Sequence, residues 1–203
     1  LLYAIFLPGL VFEAAFHLEF QKFWQNKLAI SSLAVPGVAA AIGLTAVLLQ
    51  PAVHALHFVD GFTLKHALVF SALIAATDPI AVVALFKSLG APKRLTVLVE
   101  GESLLNDGTA VVFFTLILGV VTGGSSSLGG AVLDFVRVVG LGTLVGVIMG
   151  YLASKLTQRV NDPMIEVTLT TIAAYGSFIL AEQFHLSGII ATVAAEIGRA
   201  SCR

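Results

Sequence analysis

The sequence predicts an all-α, polytopic membrane bundle, and three observations carry that prediction. Of 203 residues, 58% are hydrophobic and 11% charged, against about a quarter charged in a soluble domain, and mean hydropathy is +0.99. The apolar residues fall in blocks of roughly 20, long enough to cross about 30 Å of hydrocarbon as helices, without the period-two alternation of a barrel strand. Lys and Arg concentrate in alternate connections: Lys22 and Lys27, then Lys87, Lys93 and Arg94, then Lys155 and Arg159, whereas the connections between them hold Lys65 and Arg137. The positive-inside bias places the first set at the cytoplasm, so the span from Leu95 runs outward and the one before it inward. The small net charge of -1 gives no nucleic-acid surface.

The first run, 1–18, ends at an aromatic cluster of Phe20, Phe23 and Trp24 that suits a membrane face. The second, 28–50, is followed after Pro51 by a polar connection with His54, His57, Asp60 and Lys65. Runs 67–86 and 95–121 come next, and then the glycine- and serine-rich residues 123–130, which read as a flexible external loop. After run 131–152, Asn161-Asp162-Pro163 reads as a helix start, with Asp162 as cap, Pro163 in the first turn and Glu166 near the positive end of the helix dipole. It opens run 164–181, and a seventh run begins near Leu186.

Both ends limit the native chain. It opens inside an apolar run at Leu1 with neither an initiator Met nor a basic leader, so a signal peptide or first helices are expected to be missing. Residues 196–203 break the apolar pattern in the manner of a translated sequencing adapter, so 1–195 is taken as a partial transmembrane domain of six helices and the start of a seventh, and 196–203 as a non-native tail. The lone Cys202 in that tail has no disulfide partner. His17, His54, His57, His66 and His185 fall near interfaces, and none is spaced with a carboxylate as a metal ligand set.

The chemistry lies in acids at membrane depth. An Asp at the centre of a spanning helix costs about 2.5 to 3.5 kcal/mol, so Asp78 and Asp107 mark an ion or proton path. Pro79 removes a backbone donor and disfavours helical geometry at Asp78, so the segment should unwind around Thr77-Asp78-Pro79, freeing carbonyls that are tolerated at that depth only in a protein-lined or wet cavity. On the next helix Ser103, Asn106 and Asp107 share a face through three- and four-residue spacings, and Glu102 and Asn106 form a second i,i+4 pair able to hydrogen-bond. Glu13 is a further acid inside an apolar helix, and Glu100 reads as solvated at the cytoplasmic mouth.

Thr77-Asp78-Pro79-Ile-Ala-Val followed by Val99-Glu-Gly-Glu102-Ser103-Leu-Leu-Asn106-Asp107-Gly resembles the sodium/proton exchangers of the cation:proton antiporter-1 family. The resemblance extends upstream through Leu7-Pro-Gly-Leu-Val-Phe-Glu13 and downstream through Asp162-Pro-Met-Ile-Glu166 to Ser187-Gly-Ile-Ile. It implies an inverted-repeat fold of about 12 to 13 helices, with a core translocation domain and a dimerisation domain, of which this chain supplies roughly half. By the same resemblance Thr77 and Asp78 match the unwound crossing segment and Asn106-Asp107 the family's Asn-Asp pair. Ser103 matches a cation-coordinating hydroxyl, Glu13 an acid acting through water, and Glu102 a carboxylate that pairs with a basic residue on a later helix.

The expected activity is secondary transport in a cell membrane without enzymatic chemistry or a resident cofactor. Asp107, with Asp78, Ser103, Glu13 and the Thr77 carbonyl, takes either a dehydrated sodium ion or a proton, because hard cations prefer such oxygen ligands and desolvation favours the neutral form of a carboxyl. Asn before Asp implies, by family analogy, one charge exchanged for one, so that membrane voltage, worth about 2.3 kcal/mol per charge per 100 mV, drives no net exchange. The alternatives are a cation channel lined by the same groups and an intramembrane aspartyl protease, whose usual Tyr-Asp and Gly-x-Gly-Asp contexts are not those of Asp78 and Asp107.

Overall fold

The computed structural model describes residues 2–16, 18–57, 59–123, 128–159 and 162–201. His17, Asn161, Cys202 and residues 124–127 of the glycine-serine loop lie outside the described residues. Among those described, every regular element is helical: α1 (Leu2–Phe16), α2 (Phe20–Gln25), α3 (Lys27–Ser32), a π-helical turn (Leu33–Gly37), α4 (Val38–Ala55), α5 (Leu64–Leu73), α6 (Ile80–Ser88), α7 (Lys93–Val121), α8 (Leu128–Thr157), α9 (Pro163–Gln183) and α10 (Gly188–Ser201).

Four stretches have the length and apolarity of membrane spans: Lys27–Ala55, Lys93–Val121, Gly129–Thr157 and Met164–Gln183. Large apolar side chains such as Leu28, Ile80 and Leu133 stay exposed, as hydrocarbon allows and water does not. The run 28–50 holds a feature absent from its expected regular helix. Pro36 sits inside it, and because proline brings no N–H, the ladder widens locally and the N–H of Val38 reaches back five residues to the carbonyl of Leu33. The helix start at Asp162 forms as its chemistry dictates, the carboxylate accepting from the N–H of Met164 at 2.9 Å with Pro163 in the first turn.

The bundle is organised around α7, which packs against α1, α2, α3, α5, α6, α8, α10 and α4. Two glycines allow its close approaches. A Cβ on Gly101 would lie 2.9 Å from Ile30, and one on Gly108 would lie 2.6 Å from Ile190. Leu104, between them, joins Val11, Ala15, Phe178, Ile189 and Val193 in the main apolar core. A second core of Val38, Ile42 and Ala72 seats α4 and α5 against Phe113 and Ile117 of α7.

The tightest crossing is that of α8 and α10. Gly142, Gly146 and Gly150 recur every fourth residue along one face of α8, and Cβ atoms there would stand 3.0, 2.1 and 2.0 Å from the carbonyl oxygens of Ser187, Ala191 and Ala195. Between membrane helices no hydrophobic force favours contact over lipid, so bare backbone faces that gain dispersion by close approach supply it. This stripe lies within run 131–152, where composition alone says only that a helix spans. At its far end α10 does not stop at Ala195. It continues to Ser201, with Glu196 and Arg199 buried and paired to one another, so the break in apolar pattern is not a break in the helix.

Candidate ion-binding site

The third run divides in two. Backbone helicity ends at Leu73, Ile74 forms a turn, residues 75–79 are irregular, and α6 starts at Ile80. The interruption is longer than Thr77-Asp78-Pro79 and leaves several carbonyls without intrahelical donors. Two side chains of α7 meet them. Ser103 donates its hydroxyl to the Thr77 carbonyl at 2.8 Å, and the Asn106 amide nitrogen donates to the Ala75 carbonyl at 3.2 Å and to Thr77 Oγ1 at 3.0 Å. A carbonyl oxygen can only accept, so the bond to Ala75 fixes which way the amide faces.

The amide of Asn106 is therefore committed to the irregular segment, which corrects the expected pairing with Glu102. Its Oδ1 is buried without a hydrogen-bond partner, a vacant acceptor lone pair next to the irregular backbone. Beside it Asp107 is half-buried and within electrostatic reach of both Asp78 and Glu102. Asp78 itself is exposed in this chain, and its Oδ1 accepts from the N–H of Ile80 at 3.0 Å. One oxygen of this acid thus satisfies the N–H of the first residue of α6, which at a helix start has no intrahelical acceptor.

Thr77, Ser103, Asn106, Asp107 and Asp78 are brought together across the α7 contact. Glu102 lies half-buried one position before Ser103. Glu13 stands on an exposed face of α1, a helix that packs on α7 through Val11, Ala15 and Leu104. Glu100, read as solvated, is instead half-buried and ion-paired at 3.2 Å with Lys87 at the end of α6. Sequence reasoning also missed Thr109, whose hydroxyl donates to the Ala34 carbonyl of the π turn at 2.6 Å and also to the Asn106 carbonyl at 3.2 Å. The available signal was Pro36 inside an otherwise unbroken apolar run, opposite a Thr three residues after Asn106.

Residues 1–197 match the family model described as the transmembrane region of sodium/hydrogen exchangers. The chain belongs to the sodium/hydrogen exchanger family. It is 40% identical over 195 residues to the Na(+)/H(+) antiporter ApNhaP of Aphanothece halophytica and 41% identical over 195 residues to the low-affinity Na(+)/H(+) antiporter NhaS1 of a Synechocystis strain, covering 95% of this chain and 36% of each relative. It is 37% identical over 194 residues to the Na(+)/H(+) antiporter NhaP of Pseudomonas aeruginosa, covering 94% of this chain and 45% of that relative. The chain thus spans between about a third and a half of the length of these curated relatives. As a member of this exchanger family it is a multi-pass integral membrane protein, and its helical interruption and acids lie within the matched region.

Proposed function

We propose that this chain carries a cation- and proton-binding site of a sodium/proton antiporter, and that exchange follows from competition at Asp107. The observation that carries the reading is the bonding of Ser103 and Asn106 to the irregular segment 75–79 immediately beside that acid. The arrangement gathers hydroxyl, carbonyl and carboxylate oxygens at one interrupted helix of a bilayer-embedded chain, and these are the donors that a hard monovalent cation prefers. A sodium ion held by Asp107, Asp78, Ser103 and the Thr77 carbonyl neutralises the same charge that a proton on Asp107 neutralises, so the loaded site carries one or the other.

The finer fold assignment belongs to the same proposal: segment 74–79 is one crossing element of an inverted-repeat antiporter, in which broken helix ends face ions at mid-membrane. Glu13 supplies a water-bridged acid, Glu102 a carboxylate for a later basic residue, and Pro79 the interruption itself. Exchange is one charge for one at a cell membrane, and the working unit is a homodimer.

The test is sodium-evoked pH change in proteoliposomes containing the protein expressed from its full coding sequence. Asp107→Ala should abolish the signal, whereas undiminished exchange would remove Asp107 from the role. Current recorded across the same membranes should stay at background, while a conductance far above carrier turnover would make the protein a channel.

A further inference from the structure

A second polar site lies away from the acids, on the face that the positive-inside bias assigns to the cytoplasm. Between α1 and α3 the chain turns through the short helix α2, and the start of α7 lies against it. Lys22, Gln25, Asn26 and Arg94 line an open cleft of about 420 Å³ there. The Arg94 guanidinium is tethered through Nε to Asn26 Oδ1 at 2.9 Å, and Asn26 is itself held by its amide donating to the Lys22 carbonyl at 2.8 Å. That tether uses the Nε of the planar guanidinium and leaves the terminal nitrogens for two oxygens of one acceptor such as a phosphate.

The cleft is net positive, since Glu19 offsets charge at Lys22 and Arg94 adds its own. Lys27 and Lys93 flank it, and Glu19, the acid of the α1–α2 connection, is ion-paired with Lys22. The hydrogen bond from Lys22, and beyond it the fields of Lys22 and Lys93, hold the Glu19 carboxyl below its ordinary range. The surroundings of the cleft are those of a membrane surface. Trp24 is exposed with the Lys27 ammonium 3.8 Å from its ring centroid, and Leu28, one residue on, is 82% exposed. An exposed indole and an exposed leucine within a few residues of the basic cleft are side chains of the kind that sit at a membrane interface, next to a pocket suited to an anionic headgroup.

We propose that Lys22 and Arg94, oriented by Asn26, bind the phosphate of an anionic membrane lipid, with Trp24 and Leu28 against its acyl chains. The site joins α2 and α3 to the first turn of α7, the helix that carries Ser103, Asn106 and Asp107, so an occupying lipid clamps the cytoplasmic end of that helix. The proposal stands independently of the exchange reading, since it concerns a different cleft and a different ligand.

The test uses the delipidated protein, expressed from its full coding sequence and held in a neutral detergent. Thermal unfolding is followed while phosphatidylglycerol, phosphatidylcholine of the same chain length, or inorganic phosphate is added. Phosphatidylglycerol should raise the unfolding temperature at a midpoint that moves to higher lipid as salt rises, and the other two should not. Lys22→Gln with Arg94→Gln should raise that midpoint at least fivefold. Arg94→Gln alone, at an exposed side chain where folding is not at stake, should raise it at least twofold, and Lys65→Gln on the opposite face should leave it unchanged. Equal responses to the two lipids, or a midpoint unmoved in Arg94→Gln, would overturn the proposal. A full response to inorganic phosphate would overturn it in favour of a free-anion site.

Discussion

Ser103 on α7 reaches across to the carbonyl oxygen of Thr77 at 2.8 Å, and so one hydroxyl fixes the distance between the irregular segment and the helix that bears Asp107. A hydroxyl in this position can donate to the carbonyl and still offer a lone pair to a cation. Its removal affects both tasks. A net hydrogen bond contributes about 0.5 to 1.5 kcal/mol, so Ser103→Ala should raise the apparent KM for sodium by roughly two- to tenfold, whereas Ser103→Thr, which retains the oxygen, should stay within about twofold. Initial rates of sodium-evoked pH change in proteoliposomes decide between them.

Asn106 should behave as a structural tie as well as a polar neighbour of Asp107. Replacing it with Leu removes the donors to Ala75 and Thr77 and should lower stability by about 1 to 3 kcal/mol, since polar backbone loses partners away from water. Asn106→Asp should be comparably harmful at high pH, because an ionised carboxylate only accepts and would face the Ala75 carbonyl. Thermal unfolding in one detergent, with and without sodium, measures both variants.

The proposed competition at one carboxylate fixes the sign of the expected pH dependence. Lowering pH fills Asp107 with protons, so the apparent KM for sodium should rise, by up to tenfold for each unit of pH once protonation dominates, while the maximal rate at saturating sodium stays constant on the sodium-binding side. Asp107→Asn should remove the dependence together with exchange. A KM independent of pH in the wild-type protein would contradict the shared site.

The hydroxyl of Thr109 ties α7 to the π turn, and Thr109→Val keeps its shape while removing that bond. The expected cost is about 1 to 3 kcal/mol, because the Ala34 carbonyl is left buried. Thr109→Ser should recover most of it, as unfolding temperatures of the two variants would show.

Along α8, substitution should sort by position. Gly146→Ala sets a methyl 2.1 Å from the Ala191 carbonyl oxygen, a backbone atom that cannot turn aside, so α8 and α10 must separate at an expected cost of about 1 to 3 kcal/mol or more. Gly140→Ala, with nothing within 4 Å, should be neutral or stabilising by up to about 1 kcal/mol through helix propensity. Paired unfolding measurements test the contrast.

Apolar length and basic alternation locate the spans because the bilayer imposes both on the chain. Run 95–121 against α7 (Lys93–Val121) differs at one end by two residues, and the Asp162 start is read in full from local capping chemistry. The shared face of Ser103 and Asn106 was likewise legible, since helical spacing alone sets it. What spacing does not encode is the partner across the gap. It offered Asn106 a candidate partner in Glu102 on its own helix, whereas the tertiary fold presents carbonyl and hydroxyl oxygens of the irregular segment that have no intrahelical donor, and the amide bonds to those. Asp78 was read for its charge alone, but the start of α6 just after it also needs an acceptor for its first N–H. The π turn and the glycine stripe left local marks, Pro36 and glycines four residues apart, but those marks do not say which neighbouring backbone each one meets.

The bonds from Ser103 and Asn106 to residues 75–77 have a mechanical consequence. Two side chains from neighbouring turns of α7 hold the irregular segment at two main-chain oxygens and a hydroxyl, which leaves the two pieces no freedom to slide past each other without breaking several attachments together. In the proposed exchange cycle, a displacement that turned the site from one aqueous compartment to the other would therefore carry segment and α7 as a single load, with the slippage occurring at surfaces farther out.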